Sequence, residues 1–135
     1  MTTLKSLLIA TPVVFLLDFV WVGMLMASFY QSRLRPLLNF VDGKLDPNIA
    51  AAALTYAVMI MLVVFVAVPL QHAYNVQTNI GVFVVGAVVG LLAYALYNFT
   101  NLALLREWSL LVTVVDILWG GLLFGLSTLA VKLFS

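Results

Sequence analysis

Polar positions are sparse along this chain, and their spacing divides it into four apolar stretches. The first runs from Leu4 to Tyr30, interrupted by Lys5 near its start and Asp18 near its middle. The second covers about Asn48 to Leu70, the third Ile80 to Leu105 and the fourth Leu110 to Phe134. Each exceeds the roughly 20 residues that about 30 Å of hydrocarbon requires, and continuous helix satisfies every backbone group where no water can. The pattern therefore predicts an all-α fold. A single integral-membrane domain spans residues 1–135 as a four-transmembrane-helix bundle with antiparallel neighbours, its spans at 4–30, 48–70, 80–105 and 110–134.

Local signals refine the ends. Pro12 either kinks the first span or follows Thr11 as cap of a helix beginning there. The linker "QSRLRPLLNFVDGKLDP" holds an Asp42-Gly43 turn signal, and Asp46-Pro47 reads as an N-cap with proline at the first helical position. Pro69 is expected to help end the second span. "QHAYNVQTN" and "REWS" are the two shorter connections. A cleaved leader is not expected: Asp18 lies inside the first apolar run, and "LMAS" puts Leu25 where cleavage wants a small residue. The run reads as a retained first span.

Composition confirms the solvent. The chain is 65% hydrophobic and 8% charged, with a mean hydropathy of +1.20, whereas soluble domains run near a quarter charged. The lipid bilayer is thus the first partner. A net charge of +1 without a basic run points away from nucleic acid. With no cysteine, disulfides, thiolate catalysis and cysteine metal sites are excluded, and no motif calls for a cofactor. Arg33, Arg35, Lys44 and Arg106 fall in the connections on one side, against Lys5 and Lys132 on the other. That bias favours cytoplasmic connections, both termini outside, and Tyr30 and Trp108 in the cytoplasmic aromatic belt.

Two acids remain to be explained. "LLDFVWVGML" and "VVDILWGGLL" each place an aspartate, then a tryptophan three residues on, then a glycine two further. Acids inside spans are expensive and face the bundle interior or a wet cavity. Low dielectric favours the neutral form of a carboxyl unless donors stabilise its charge, so such a group serves as a hydrogen-bonding or exchangeable-proton site. At helical spacing Thr113, Gly120 and Ser127 share the face of Asp116, while Thr11, Trp21 and Leu25 share that of Asp18. Gly23 points away and is expected to admit a neighbouring helix. In the third span Gly86, Gly90, Tyr97 and Asn101 line one stripe, with Tyr94 and Asn98 at its flank. The short "REWS" turn makes the third and fourth spans antiparallel neighbours. Tyr97 and Asn101 are therefore expected to hydrogen-bond to Asp116.

The motifs "LDFVWVG", "YNFTNLALLREW" and "VVDILWG", in this order across nearly the whole chain, resemble an uncharacterised bacterial family of small four-helix membrane proteins. That family is catalogued only as a domain of unknown function. The resemblance implies a bacterial inner (cytoplasmic) membrane and supplies no activity. Its third-helix motif carries an aspartate where this chain has Asn98, so it implies no role here that needs a carboxylate at that position.

The candidate polar site comprises Asp18, Trp21, Tyr97, Asn98, Thr100, Asn101, Asp116 and Trp119. The plain structural reading makes the acids polar glue, worth ~0.6–2 kcal/mol per contact. It makes Trp21 and Trp119 gap fillers, Gly86 and Gly90 helix contacts, and His72 an interface residue. Three functional readings stand beside it. The favoured one is a small-solute or proton-coupled transporter or binding protein, with a homo-oligomer as candidate assembly. The second is an intramembrane enzyme on a lipid or apolar substrate, with no nucleophile–base pair, in-span histidine or metal-ligand cluster in its favour. The third is an accessory subunit. The run Phe99, Thr100, Asn101 also suggests a fluoride-channel-like site, ranked lower because no basic residue stands within a span to help an anion across.

Overall fold

The computed structural model describes residues 2–135. Among the described residues, four helical rods are long and apolar enough to cross a membrane: Thr3–Leu25, Ile49–Ala73, Asn79–Leu104 and Leu110–Phe134. In chain order the elements are α1 (Thr3–Asp18), a π-helical stretch (Phe19–Leu25), α2 (Ala27–Leu34), a β-hairpin (β1 Phe40–Val41, β2 Lys44–Leu45), α3 (Ile49–Leu62), a second π stretch (Val63–Ala67), α4 (Val68–Ala73), α5 (Asn79–Leu104) and α6 (Leu110–Phe134). Side chains cap the helices as their chemistry dictates. Thr2, Asn48, Thr78 and Ser109 accept from the amides of Lys5, Ala51, Gly81 and Val112.

Two expectations about ends are corrected, and one open alternative is decided. The first helix starts at Thr3, so Thr11 is an interior residue whose hydroxyl donates to the Leu7 carbonyl at 2.7 Å, and Pro12 lies within the helix. The cap of the second span is Asn48, two residues after Asp46: the helix starts at Ile49, and the Oδ1 of Asn48 accepts from the amide of Ala51 at 3.1 Å. Pro69 does not end the second span, which continues to Ala73. The wider π turn just upstream is the kind of local adjustment that lets a membrane helix absorb a proline. The Asp42-Gly43 signal forms its turn: both residues have positive φ, 52° and 76°, and they close a hairpin pairing Phe40 with Leu45 and Val41 with Lys44.

α6 is the central helix. It packs along α5 and also against α1 and the second π stretch. Small residues make the α5–α6 approach close. A Cβ on Gly90 would collide with the backbone oxygen of Gly120, and one on Gly86 with Thr128 and the Phe124 carbonyl. From the other side, Gly120, Gly121 and Gly125 accept Tyr94, Leu91 and Phe83. These pairs run in antiparallel register, and the same register brings Asn98 opposite Asp116. Gly23 admits no neighbouring helix; a Cβ there would meet only the ring of Phe19. Leu4, Leu8, Leu16, Ile49, Leu92 and Leu96 stay exposed around the outside, as lipid rather than water requires.

Candidate functional site

Along α1 the buried positions are Ser6, Ala10, Val14 and Asp18, one per helical turn on a single stripe. That stripe faces α6 and α3, and it delivers the carboxylate of Asp18, 8% exposed, to the bundle interior. Its Oδ1 accepts from the indole Nε1 of Trp119 at 3.1 Å, and its Oδ2 from the phenol of Tyr56 at 2.5 Å. Asp116 is half-buried on α6. Its Oδ1 accepts from the phenol of Tyr30 at 3.0 Å and its Oδ2 from the amide of Asn98 at 2.7 Å. Tyr30 in turn accepts from the indole Nε1 of Trp21 at 3.1 Å.

The two Asp-x-x-Trp-x-Gly segments therefore serve each other. Trp119, from the second segment, donates directly to the acid of the first. Trp21, from the first, supports the acid of the second through Tyr30. Between the two acids the indoles stack at 4.6 Å with 5° between their planes. Two helices that each bury an acid meet their polar demand across one shared aromatic partition.

A cavity of about 670 Å³ opens beside this partition. Asp18 and Asp116 form its polar end with Tyr56, Tyr94 and Tyr97; its walls are apolar apart from Thr55, with Val58, Leu62 and Phe124 among them. It lies between α3 and the C-terminal half of α5; α5 packs against the second span mainly at the π stretch and α4. Asp116 lies six residues into α6, so at 1.5 Å per residue the site is about 9 Å from that end of the helix. This is the side of the connections that carry Arg33, Arg35, Lys44 and Arg106.

The chain can now be placed. A family described as "Predicted membrane protein (DUF2177)" matches residues 3–133. The chain belongs to that family. No curated protein and no solved structure matches it.

Within this member of the family, the polar residues expected from sequence divide into two sets. Asp18, Trp21, Asn98, Asp116 and Trp119 come together. Tyr97 and Asn101 do not reach Asp116 as expected, and Thr100, the remaining member of the candidate site, stands apart as well. Tyr97 packs edge-on against Trp108 at 5.8 Å and lines the cavity without a hydrogen bond to the acid. Asn101 lies one turn further along α5, and Thr100 is exposed with its hydroxyl on the Leu96 carbonyl at 2.6 Å. The register set by the glycine seam places Asn98, not the next turn, level with Asp116. Asn98 is fully buried; its amide also donates to the Tyr94 carbonyl at 3.0 Å, and its Oδ1 has no partner.

Leu25 was expected on the Asp18 face and is instead 71% exposed. The π stretch begins immediately after Asp18 and turns fewer degrees per residue than an α-helix, so the α-helical phase does not carry beyond it. Tyr30, expected in the interfacial belt, turns inward to Asp116. Tyr30, Tyr56 and Tyr94 are the site residues that sequence reasoning missed. The available signal was that a buried acid needs donors and that phenols lie at matching depth.

At the opposite end a second cavity, about 520 Å³, is lined by residues including Ser6, Val68, Pro69 and His72. Ala10, Val14 and Val63, all fully buried, separate the two. His72 thus lines a cavity mouth on α4.

Proposed function

We propose that this membrane protein is a small-solute binding protein or transporter whose ligand occupies the cavity at Asp18 and Asp116, with protons exchanged at those carboxyls. The observation that carries the reading is the pair of cavities at opposite ends of one buried stripe. Ser6 stands at one mouth and Asp18 at the other, and only the small side chains of Ala10 and Val14 intervene on that stripe. On α1 that stripe is narrow, and it packs into a core with Val63, Leu123 and Phe124 that rocking of one helix pair would open and close, the motion that alternating access uses in larger transporters. Two in-span carboxyls with access to the ligand supply the exchangeable protons.

The same reading takes the protein to be in a bacterial inner membrane with both termini outside. The charge bias of the connections supports that orientation. The apolar cleft beside α3 also favours a second reading, an intramembrane enzyme that admits a lipid or apolar substrate sideways. The carboxylates' donors are neutral phenol, indole and amide groups, which position an acid and provide no nucleophile.

Native mass spectrometry of the protein in lipid from its own membrane tests the proposal, wild type beside Asp18→Asn and Asp116→Asn. The expected result is a co-purifying small molecule released by both substitutions while the fold survives. The same spectrum gives the oligomeric state. An empty wild-type protein whose variants dissociate or unfold makes the acids helix glue and overturns the reading.

A further inference from the structure

We propose that the ligand of this cavity is an amphiphilic cation, with an apolar body and one positively charged head, that enters sideways from the leaflet on the side of the charged connections. The inference rests on the binding reading above and narrows it to a chemical class.

Charge decides the head group. Four carboxylate oxygens meet four donors, one each, and every donor is neutral. A carboxylate oxygen has room for two hydrogen bonds, so half of the acceptor capacity stays open beside the cavity. No basic side chain within the spans stands near. Lys5 is thirteen residues from Asp18 along one continuous rod and Lys132 sixteen from Asp116 along α6, each about 20 Å or more away. Lys132 is moreover held at the far end, donating to the Gln77 carbonyl at 2.7 Å and the Asn79 side chain at 2.6 Å. An anion in the cavity would face two acids whose neutral donors are already engaged. A cation would face open lone pairs in a medium of low dielectric, where a lone buried charge is strongly costly and an opposite partner offsets much of that cost.

The walls decide the body. Tyr56, Tyr94 and Tyr97 bring three aromatic rings to the polar end, the side chains that recognise alkylammonium groups through their π faces. Beyond them the lining is apolar apart from Thr55, with Val22, Leu54, Val58, Leu62 and Phe124 among it. About 670 Å³ falls within the range of pockets that take whole small molecules. The route lies between α3 and α5. Leu54 and Val58 line the cavity and are 68% and 54% exposed, so the cleft is open along α3. A molecule with an apolar body already concentrates in that leaflet and needs no aqueous path.

A matched set of probes tests the class: tetraphenylphosphonium, tetraphenylborate and neutral tetraphenylmethane share shape and differ in charge. Each is equilibrated with the full chain in zwitterionic nanodiscs, and binding to protein-free nanodiscs is subtracted. The expected result is saturable binding of the cation alone, weakened at least tenfold by Asp18→Asn with Asp116→Asn and by Ala93→Trp. The last fills the cavity from α5 and leaves both acids in place, so it decides the matter if the double variant does not fold. Saturable binding of tetraphenylborate or tetraphenylmethane at least as tight as the cation's, lost on Ala93→Trp, overturns the charge class and leaves the cavity a binding site. Cation binding indifferent to all these substitutions overturns the site. If none of the three probes binds, the cationic class falls; the co-purification experiment then judges the binding reading by itself.

Discussion

Replacing Gly90 by alanine tests the feature that positions the site. The added methyl would overlap the backbone oxygen of Gly120 and lie 2.7 Å from Cβ of Phe124, where ordinary contact begins at 3.4 Å. Neither obstacle is the far end of a flexible side chain, so α5 and α6 must separate. Overpacking of this kind costs about 1–3 kcal/mol. A backbone overlap this deep belongs to the upper part of that range, about 2–3 kcal/mol; alanine returns about 1 kcal/mol through helix propensity, leaving a net loss of roughly 1–2 kcal/mol. Gly23→Ala is the matched control: its methyl would meet only the ring of Phe19, at 3.3 Å, and that ring can turn away. The control is expected to be neutral or stabilising by up to ~1 kcal/mol. Unfolding by titration with sodium dodecyl sulfate in mixed micelles, followed by far-UV circular dichroism, measures both beside the wild type. The separation also lengthens the 2.7 Å contact between Asn98 and Asp116, so ligand binding should fall with stability in Gly90→Ala. A Gly90→Ala protein as stable as wild type, or a control equally damaged, refutes the claim that the glycine seam sets the register of the site.

The same assays reach four further expectations. Trp119→Phe keeps much of the stack on Trp21 but strips Asp18 of one donor, at a cost of about 1–3 kcal/mol; a double-mutant cycle with Asp18→Asn should show a coupling of roughly 0.6–1.7 kcal/mol, and additive effects would remove the direct contact. Tyr30→Phe breaks two hydrogen bonds at once and should cost about 1–2 kcal/mol. Thr100→Ala, on an exposed position bonded only within its own helix, should stay within about 0.5 kcal/mol and leave binding unchanged. Asn48→Ala should cost about 0.5–2 kcal/mol as a lost N-cap while Asp46→Ala costs little, and the reverse order would restore the cap to Asp46.

What the chain alone determined follows from local chemistry and from the solvent it must meet. Four runs longer than the bilayer core can only be helices there, so the number of spans, the antiparallel third and fourth and the family resemblance were all legible. So was the turn at Asp42-Gly43, because positive φ at both positions selects those residues, although the two short strands it joins were not. The demand of Asp18 and Asp116 for interior partners was legible too, since an acid in hydrocarbon has nowhere else to go. Which groups answer that demand was not. Two π stretches reset the helical phase, one directly after Asp18 and one before Pro69, and extrapolation at 100° per residue loses faces and ends beyond them. The glycine seam slid α5 against α6 until Asn98, rather than Tyr97 or Asn101, stood level with Asp116. Tyr30 and Tyr56 come from elements 86 and 38 residues from the acids they serve. The two like motifs, three shared letters in sequence, acquire their meaning only where α1 and α6 touch. Partners at that separation are fixed by how whole helices pack, which depends on the sum of many side-chain shapes and on no single local pattern.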